Sequence, residues 1–346
     1  MVEIPAPPLR LTLDIDALVA NWRALDALSG AASAGAAVKA DAYGLGARRI
    51  STALHQAGCR DFFVAHWAEA ADLLDLLPHA AIAVLHGPQS PADAAFARAQ
   101  SLRPVINSLH QARIWQEAGG GICDLMVDTG INRLGLPLTD LGDPLIAGLQ
   151  VDVLISHLAS AEEDVALNEL QRRRWADACQ AVQHRRASLA NSAGIALGAQ
   201  YHGDLTRPGI ALYGGVPSAA LAPHIRQVAH PEAQVIQTRE LHAGDTVGYN
   251  ATFTADRPMR VGVVNLGYAD GYLRSWSGKG VFRADALRLP VLGRVSMDMT
   301  IIDLTAAPHV GEGDWLAAEY DLPKAATISG LSQYELLTVL GRRFPR

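Results

Sequence analysis

From Ala36 to about Gly215 short apolar runs alternate with amphipathic stretches. The runs AAVKA (36–40), DFFVAH (61–66), AIAVLHG (81–87), RPVINS (103–108), CDLMVDTG (123–130), VDVLISHL (151–158), SLANSAG (188–194) and DLTRPG (204–209) read as strands. Between them ARRISTALHQAG, WAEAADLLDLL and SLHQARIWQEAG carry apolar residues at i, i+3 and i+4, the helical spacing. Eight such alternations imply a TIM-like (β/α)8 barrel of parallel strands. A doubly wound open sheet gives a similar text, and the strand count favours the barrel. RLTLDID (10–16) is a ninth strand candidate, assigned to the other domain.

After about Val216 the texture changes. AQVIQTRELHAGDTVGYNATF, RPMRVGVVNLGYADGY, LRLPVLGRVSMDMTIIDL and DWLAAEY are β-prone runs separated by Gly, Pro and Asp turns, without helical periodicity. The segment LSQYELLTVLGRRF closes the chain as a helix, with Ser332 as N-cap and Leu336, Leu337 and Leu340 at helical spacing. The expected class is α/β followed by β: a barrel domain over 10–225 and a mainly β domain over 226–346, with residues 1–16 a candidate to pack with the latter. A length of 346 residues suits two domains.

Composition narrows the function. Lys and Arg total 29 against 35 Asp and Glu, so no basic surplus exists to neutralise a nucleic-acid backbone. No apolar run approaches the roughly 18 residues that span a bilayer, and the first residues lack a signal-peptide pattern, so no membrane partner and a cytoplasmic location are expected. Cys59, Cys123 and Cys179 are widely spaced and form no C-x-x-C pair, which argues against a disulfide framework or a cysteine zinc site; no metal is expected.

Lys39 lies in VKADAYGLG, a run too apolar for a lysine that merely faces water. A buried amine is costly unless it reacts or pairs. At the C-terminal end of a barrel strand it enters the mouth where such folds hold active sites, and desolvation there lowers its pKa toward nucleophilic competence. That is the profile of a Schiff-base lysine, although this segment alone reads equally as a lysine snorkelling to the barrel rim.

The segments AVKADAYGLGA, DTGINRLG, SHLAS, NSAG, TRPGIALYG, VGYNATF, GYADGY and GRVSMD follow one another in one order. Together they resemble the alanine racemases, pyridoxal-phosphate enzymes with an N-terminal barrel and a C-terminal β domain. The resemblance runs from Lys39 to the last helix. It implies pyridoxal phosphate as cofactor and interconversion of L- and D-alanine by two bases, serving D-alanine supply for peptidoglycan or alanine catabolism. By motif, Lys39 would bind the cofactor and act as one base, and Tyr43 would hydrogen-bond the cofactor phosphate. Ser192 of NSAG, with Gly209, Ile210 and Tyr213 of TRPGIALYG, would complete the cofactor site, and loops after the seventh and eighth strands are where barrels commonly hold phosphate.

Arg207 in TRPG would face the pyridine nitrogen, where most enzymes with this cofactor place a carboxylate. An arginine does not give up its proton, so it donates to an unprotonated ring nitrogen and weakens the electron sink, which favours racemisation over transamination. Racemisation needs an acceptor on each face of the substrate carbon. The resemblance assigns the second to Tyr249 of VGYNATF, with His157 of SHLAS behind it to tune the phenol. It further implies a head-to-tail homodimer with shared active sites, Tyr268, Met297 and Asp298 arriving from the partner subunit, and Arg133 of DTGINRLG binding the substrate carboxylate.

Two departures stand out. The family's carbamylated lysine, two residues before the DTG triplet, is here Met126, which leaves bound chloride or Asn132 as candidate supports for Arg133. The family's gate tyrosine falls on Arg342, with Phe344 two residues on, so a racemase acting on serine or on a broader set is one alternative. A non-catalytic carrier of the cofactor is another, opposed by the β domain that carries Tyr249 and Asp298. A decarboxylase of the same barrel class is opposed by Arg207, since that pattern has an acidic residue there.

Overall fold

The computed structural model describes residues 5–340 together with 343 and 344. Two compact units emerge, one comprising Ile15–Arg226 and the other the chain up to Asp14 with the chain from Gln227 onward.

The first unit is built on parallel strands. Seven form one sheet in the order Ala36–Ala37, Phe62–Val64, Ile82–Val84, Arg103–Ile106, Ile122–Asp128, Gln150–Ile155 and His184–Ser188. Leu205–Thr206 completes the circle: it pairs in parallel with Ser33–Ala34, and Arg207 forms a parallel bridge to Asn191 beyond the seventh strand. The first barrel strand thus comprises Ser33–Ala34 and Ala36–Ala37, interrupted at Gly35. A Cβ there would lie 2.8 Å from the Asp61 carbonyl oxygen, so only glycine lets the first two strands approach. The eighth strand is followed only by a 3₁₀ turn, Ile210–Tyr213. Helix Ile15–Leu28 packs against that turn and against helix Ala47–Ala57, filling the place of an eighth barrel helix. Buried Asn21 pins it by donating to the carbonyls of Leu212 and Arg226 and accepting from the Arg226 N–H.

The eight-stranded barrel expected from the alternation is present, with shifted boundaries. SLANSAG is not the seventh strand. The strand is His184–Ser188, and NSAG is a short helical turn, Ser192–Ile195, capped by Asn191. Likewise Lys39 follows the first strand instead of ending it.

The shift has a physical cause in a layer of charge near the strands' N-terminal ends. Arg103 Nη1 lies 2.8 Å from Asp61 and 3.2 Å from Asp152, and its Nε lies 3.5 Å from Asp124. Arg186 lies 2.9 Å from Asp61 and 2.7 Å from Asp152. A strand carrying Arg186 lacks the apolar signature, so the pattern settles on the next apolar residues.

In the second unit every strand pairing is antiparallel. The order is Leu9–Leu13, Ala229–Leu241, Met259–Val264, Thr300–Asp303, Leu287–Leu292, Val281–Ala284 and Trp315–Ala318. Trp315–Ala318 also pairs with Ala229–Leu241, so six strands close on themselves. The ninth strand candidate, 10–16, overlaps the strand Leu9–Leu13 of this unit, whereas Ile15 and Asp16 begin a helix of the other. Ser332 caps helix Gln333–Thr338 in a capping box with Glu335.

Burial, the largest influence, pushes the Asp124 carboxyl up to about 6, with Arg103 opposing it and the Asp152 charge adding to it. An unfolded aspartate releases its proton near pH ~3.9. The folded state therefore binds this proton more tightly, and the contribution is fully present below about pH 4 and lost as pH rises through about 6. Asp124→Asn removes this dependence. Its stability relative to the parent should rise between pH 4 and 7 in urea unfolding, and a difference that does not vary with pH would refute this assignment.

Candidate active site

The barrel residues singled out by sequence gather beyond the C-terminal ends of the strands. Lys39 follows the first, Arg133 the fifth, His157 the sixth, Ser192 the seventh and Arg207 the eighth. The chain leaves Lys39 in an unusual way, because Ala40, Asp41, Ala42 and Tyr43 all have φ between 52° and 58°. One left-handed turn thus directs Lys39 and Tyr43. The Ala42 N–H donates to the Val38 carbonyl at 2.8 Å and the Gly44 N–H to the Ala40 carbonyl at 2.9 Å, while Asp41 Oδ1 accepts the Ala47 N–H at 2.7 Å.

Positive charge dominates the group. Burial lowers the Lys39 amine below its ordinary value, and the charges of Arg133 and Arg207 lower it further, against an opposing pull from Glu69. Burial, then Arg207, Arg133 and Lys39, drive the His157 imidazole down to about 3, so it is neutral at pH 7. Arg207 is buried and lowered to about 10 by desolvation, which leaves it protonated. Its guanidinium is held by neutral oxygens: Nη2 donates to the carbonyls of Ser156 at 2.6 Å and Leu189 at 3.3 Å, and Nη1 donates to Ser188 Oγ. Such a cluster suits a ligand that brings negative charge.

An anion cradle adjoins it. Ser192 Oγ accepts the N–H groups of Gly209 at 2.8 Å and Ala211 at 3.3 Å. A Cβ on Gly209 would stand 2.2 Å from the Tyr43 hydroxyl oxygen, so phenol, serine and the backbone at Gly209 converge. Burial pushes the Tyr43 phenol up to about 12, keeping it a neutral donor. Tyr213 stands behind Tyr43 with ring centroids 4.9 Å apart, and its hydroxyl donates to the Ala37 carbonyl at 2.7 Å. Tyr213 therefore braces Tyr43 and the first strand, whereas its place in TRPGIALYG implies a contact with the cofactor. These donors fit the phosphate of pyridoxal phosphate, and the lowered Lys39 amine fits its aldehyde.

Arg133 is exposed, and among the described residues no carboxylate pairs with it. Its loop is organised by Asp128, whose Oδ1 accepts the N–H groups of Gly130, Ile131 and Asn132 at 2.8, 3.0 and 3.2 Å. Met126 is a buried core residue paired with Ile155, so the position brings no anion.

In the other unit Tyr268, Met297 and Asp298 come together. The Tyr268 N–H donates to the Ser296 carbonyl at 3.0 Å and the Ala269 N–H to the Met297 carbonyl at 2.9 Å. Tyr249 occupies a separate turn beside Arg294 and is 62% exposed. Arg342 lies outside the described residues. Its neighbour Arg343 was missed by sequence reasoning and pairs with Asp298 at 2.5 Å and with buried Asp270 at 3.3 Å. Also missed were Ser156, Ser188 and buried Gln171, whose Nε2 donates to the His157 carbonyl at 3.0 Å. Among the described residues no group of three or more His, Cys, Asp or Glu could hold a metal ion.

Comparison with known proteins agrees with this geometry. Residues 13–217 match the family described as alanine racemase, N-terminal domain, and residues 228–346 match alanine racemase, C-terminal domain. The chain is 43% identical to an alanine racemase of Acidiphilium cryptum, with 97% of each chain covered. It is 42% identical to a biosynthetic alanine racemase of Agrobacterium fabrum, over 98% of this chain and 93% of that protein. The crystal structure of alanine racemase from Bartonella henselae with covalently bound pyridoxal phosphate is similar at a TM-score of 0.89 and 36% identity, covering 99% of both chains.

The cradle is directly testable. Gly209→Ala drives a methyl into the Tyr43 hydroxyl, and overpacking of this kind typically costs about 1–3 kcal/mol, or about 5- to 150-fold in affinity. Titration of the full-length chain should show that loss for pyridoxal phosphate and much less for pyridoxal, which lacks the phosphate. Equal losses for both would show that Gly209 does not line a phosphate site.

Proposed function

The chain belongs to the alanine racemase family, and from that membership we propose that it interconverts L- and D-alanine using pyridoxal phosphate attached to Lys39. The observation that carries this reading is the cationic cluster of Lys39, Arg133 and Arg207 beside an anion cradle of Ser192, Tyr43 and the Gly209 backbone. When bound, the cofactor supplies an electron-accepting ring that allows the α-carbon of an amino acid to lose its proton.

The chain's own residues do the rest. Ser192, Tyr43 and the backbone at Gly209 and Ile210 hold the phosphate and fix the register of the bound molecule. Arg207, still protonated, donates toward the pyridine nitrogen and cannot transfer its proton to it, which moderates the sink and limits protonation at the wrong carbon. Arg133 binds the substrate carboxylate with its forked guanidinium.

Because burial and the neighbouring arginines favour its neutral form, the Lys39 amine can take the α-proton on one face. A single base would return the proton to the face it left, so inversion requires a second, and Tyr249 serves the opposite face. His157, neutral at pH 7, acts as a hydrogen-bonding partner to that phenol without adding charge.

Lys39 and Tyr249 belong to different units of the chain. We propose that they meet across a head-to-tail homodimer, with Tyr268, Met297 and Asp298 of one subunit lining the entrance to the other's site. The two enantiomers of alanine have equal free energy, so flow follows consumption, and a D-alanine-consuming process such as peptidoglycan synthesis draws the L form through. A reducing cytoplasm suits three separate thiols of which Cys59 and Cys123 are buried.

Borohydride should fix pyridoxal phosphate to the peptide containing Lys39, and incubation with L-alanine should yield D-alanine on chiral analysis. Lys39→Ala should abolish both, and a cofactor found on another lysine would refute the assignment.

The shared site has its own test. Lys39→Ala and Tyr249→Phe should each be nearly inactive as homodimers. Refolded together with cofactor, equal amounts give about half mixed dimers, each with one intact site, so about a quarter of parental activity should return. Proven mixed dimers without activity would show instead that both bases come from one chain.

A further inference from the structure

The left-handed turn after Lys39 needs an anchor, because its residues are not glycines. L-residues in this conformation cost roughly 1–2 kcal/mol each, and the first of them, Ala40, lies at the exposed edge of the barrel. The anchor is Glu69, from the short helix Trp67–Ala71 after the second strand. Glu69 Oε1 accepts the Ala40 N–H at 2.8 Å, and Oε2 accepts the Ala65 N–H at 2.7 Å. One carboxylate therefore ties the residue after Lys39 to the end of the neighbouring strand. Its side chain is 17% exposed, and its bond to Ala65 is partly buried whereas its bond to Ala40 lies at the exposed edge.

We infer that Glu69 is a positioning residue for Lys39, whose carboxylate fixes the turn that launches the lysine and adds a compensating negative charge to the field acting on its amine. The inference rests on reading Lys39 as the lysine that takes the cofactor. The charges acting on that amine are Arg133 and Arg207, which disfavour its protonation, and Glu69, which favours it. Facing Glu69 itself is His66, whose Nε2 lies 3.7 Å from Oε1. Asp41, on the turn, directs Oδ1 to the Ala47 N–H. Among the described residues Glu69 is thus the counterweight to two arginines, and its two backbone donors keep it in place. Without it the turn loses its tie to the second strand, and the amine faces the arginines uncompensated.

The test reads the amine directly. The chain has only three lysines, Lys39, Lys279 and Lys324, and the last two are exposed and serve as internal references. Competitive acetylation of the full-length, cofactor-free protein across pH, with peptide mass analysis, yields the titration midpoint of each. Glu69→Gln should lower the Lys39 midpoint by about half a unit or more and leave the other two unmoved. Amide hydrogen exchange at Ala40 and Ala65 should quicken as the clamp weakens. Repeating the series in a His66→Asn background removes the neighbouring imidazole's own titration.

Glu69→Asp keeps the charge on a shorter arm, so it should return the midpoint toward the parent's while the two amides stay unprotected. An unchanged Lys39 midpoint in Glu69→Gln overturns the proposal even if turnover falls, because a merely structural loss would slow the enzyme without moving this titration. Equal shifts at all three lysines overturn it as well. Should Glu69→Gln fail to fold, the proposal stands or falls on whether Glu69→Asp loses protection at Ala40 and Ala65. Failure of the cofactor reading would appear separately, as no covalent pyridoxal phosphate on Lys39, and would leave the titration interpretable.

Discussion

Four successive side-chain-bearing residues held in the left-handed region, Ala40 to Tyr43, are the constraint on which the site depends. At roughly 1–2 kcal/mol per residue the turn costs about 4–8 kcal/mol, comparable with the net stability of a whole domain. It persists because its ends are held by Val38, Asp41 and Glu69 and because Tyr43 packs on Tyr213. A right-handed turn would carry the phenol elsewhere and leave Gly209 facing empty space. The strain therefore has a geometric product, which is one short segment directing both a buried, pKa-lowered amine and a phenol to the barrel mouth.

The second organising feature is that the mouth is cationic and its supports are mostly uncharged. Ser156, Ser188, Thr129 and Gln171 link the ends of the fifth, sixth and seventh strands to helix Ala166–Ala181: Thr129 and Ser156 hydroxyls lie 2.8 Å apart, and Gln171 donates to Thr129 at 3.2 Å. This network orients His157 and Arg207 without cancelling their electrostatic influence. The mutual repulsion of Lys39, Arg133 and Arg207 is relieved when an anionic ligand enters, so occupancy and local order are coupled. Asp128 applies the same logic to Arg133, organising the loop through backbone amides and leaving the guanidinium unpaired.

Much of this was legible in the sequence, for identifiable reasons. Alternation of apolar runs with helical spacing revealed the barrel, and the ordered motifs placed Lys39, Arg133, His157, Ser192 and Arg207 at the ends of the first, fifth, sixth, seventh and eighth strands. Strand boundaries were less legible where charge enters the barrel. Arg186 hid the seventh strand, and Asp61, Arg103, Asp124 and Asp152 sit in otherwise apolar runs whose pattern gives no hint that they face one another. Helix Ile15–Leu28 closes the barrel from the wrong end of the sequence, which no local pattern reveals. Glu69 and Gln171 were invisible because the partners that matter, Ala40 for Glu69 and Thr129 and His157 for Gln171, lie well away in sequence and come within reach only once the strands are side by side. Tyr213 read as a cofactor contact by its place in TRPGIALYG, but its hydroxyl is bound to Ala37.

Two buried arginines at opposite ends of the barrel show how the same side chain is given different work. Arg103 is surrounded by Asp61, Asp124 and Asp152, and the carboxylates hold its pKa above the ordinary value despite burial. Its charge is spent within the protein, and breaking any one of these pairs would strand another charge in the interior. Arg207 is equally enclosed but meets only carbonyl and hydroxyl oxygens, and its pKa falls to about 10. Those oxygens fix its direction without pairing its charge, on which Asp124 exerts an opposing pull without forming an ion pair with it, so the guanidinium can act on a ligand. An arginine meant to bear on a ring nitrogen needs that combination of fixed geometry, retained proton and open charge. A carboxylate beside it would neutralise the field it presents, and solvent would screen it. The barrel thus separates its two electrostatic tasks along its axis, with paired charge where the strands begin and unpaired positive charge where they end.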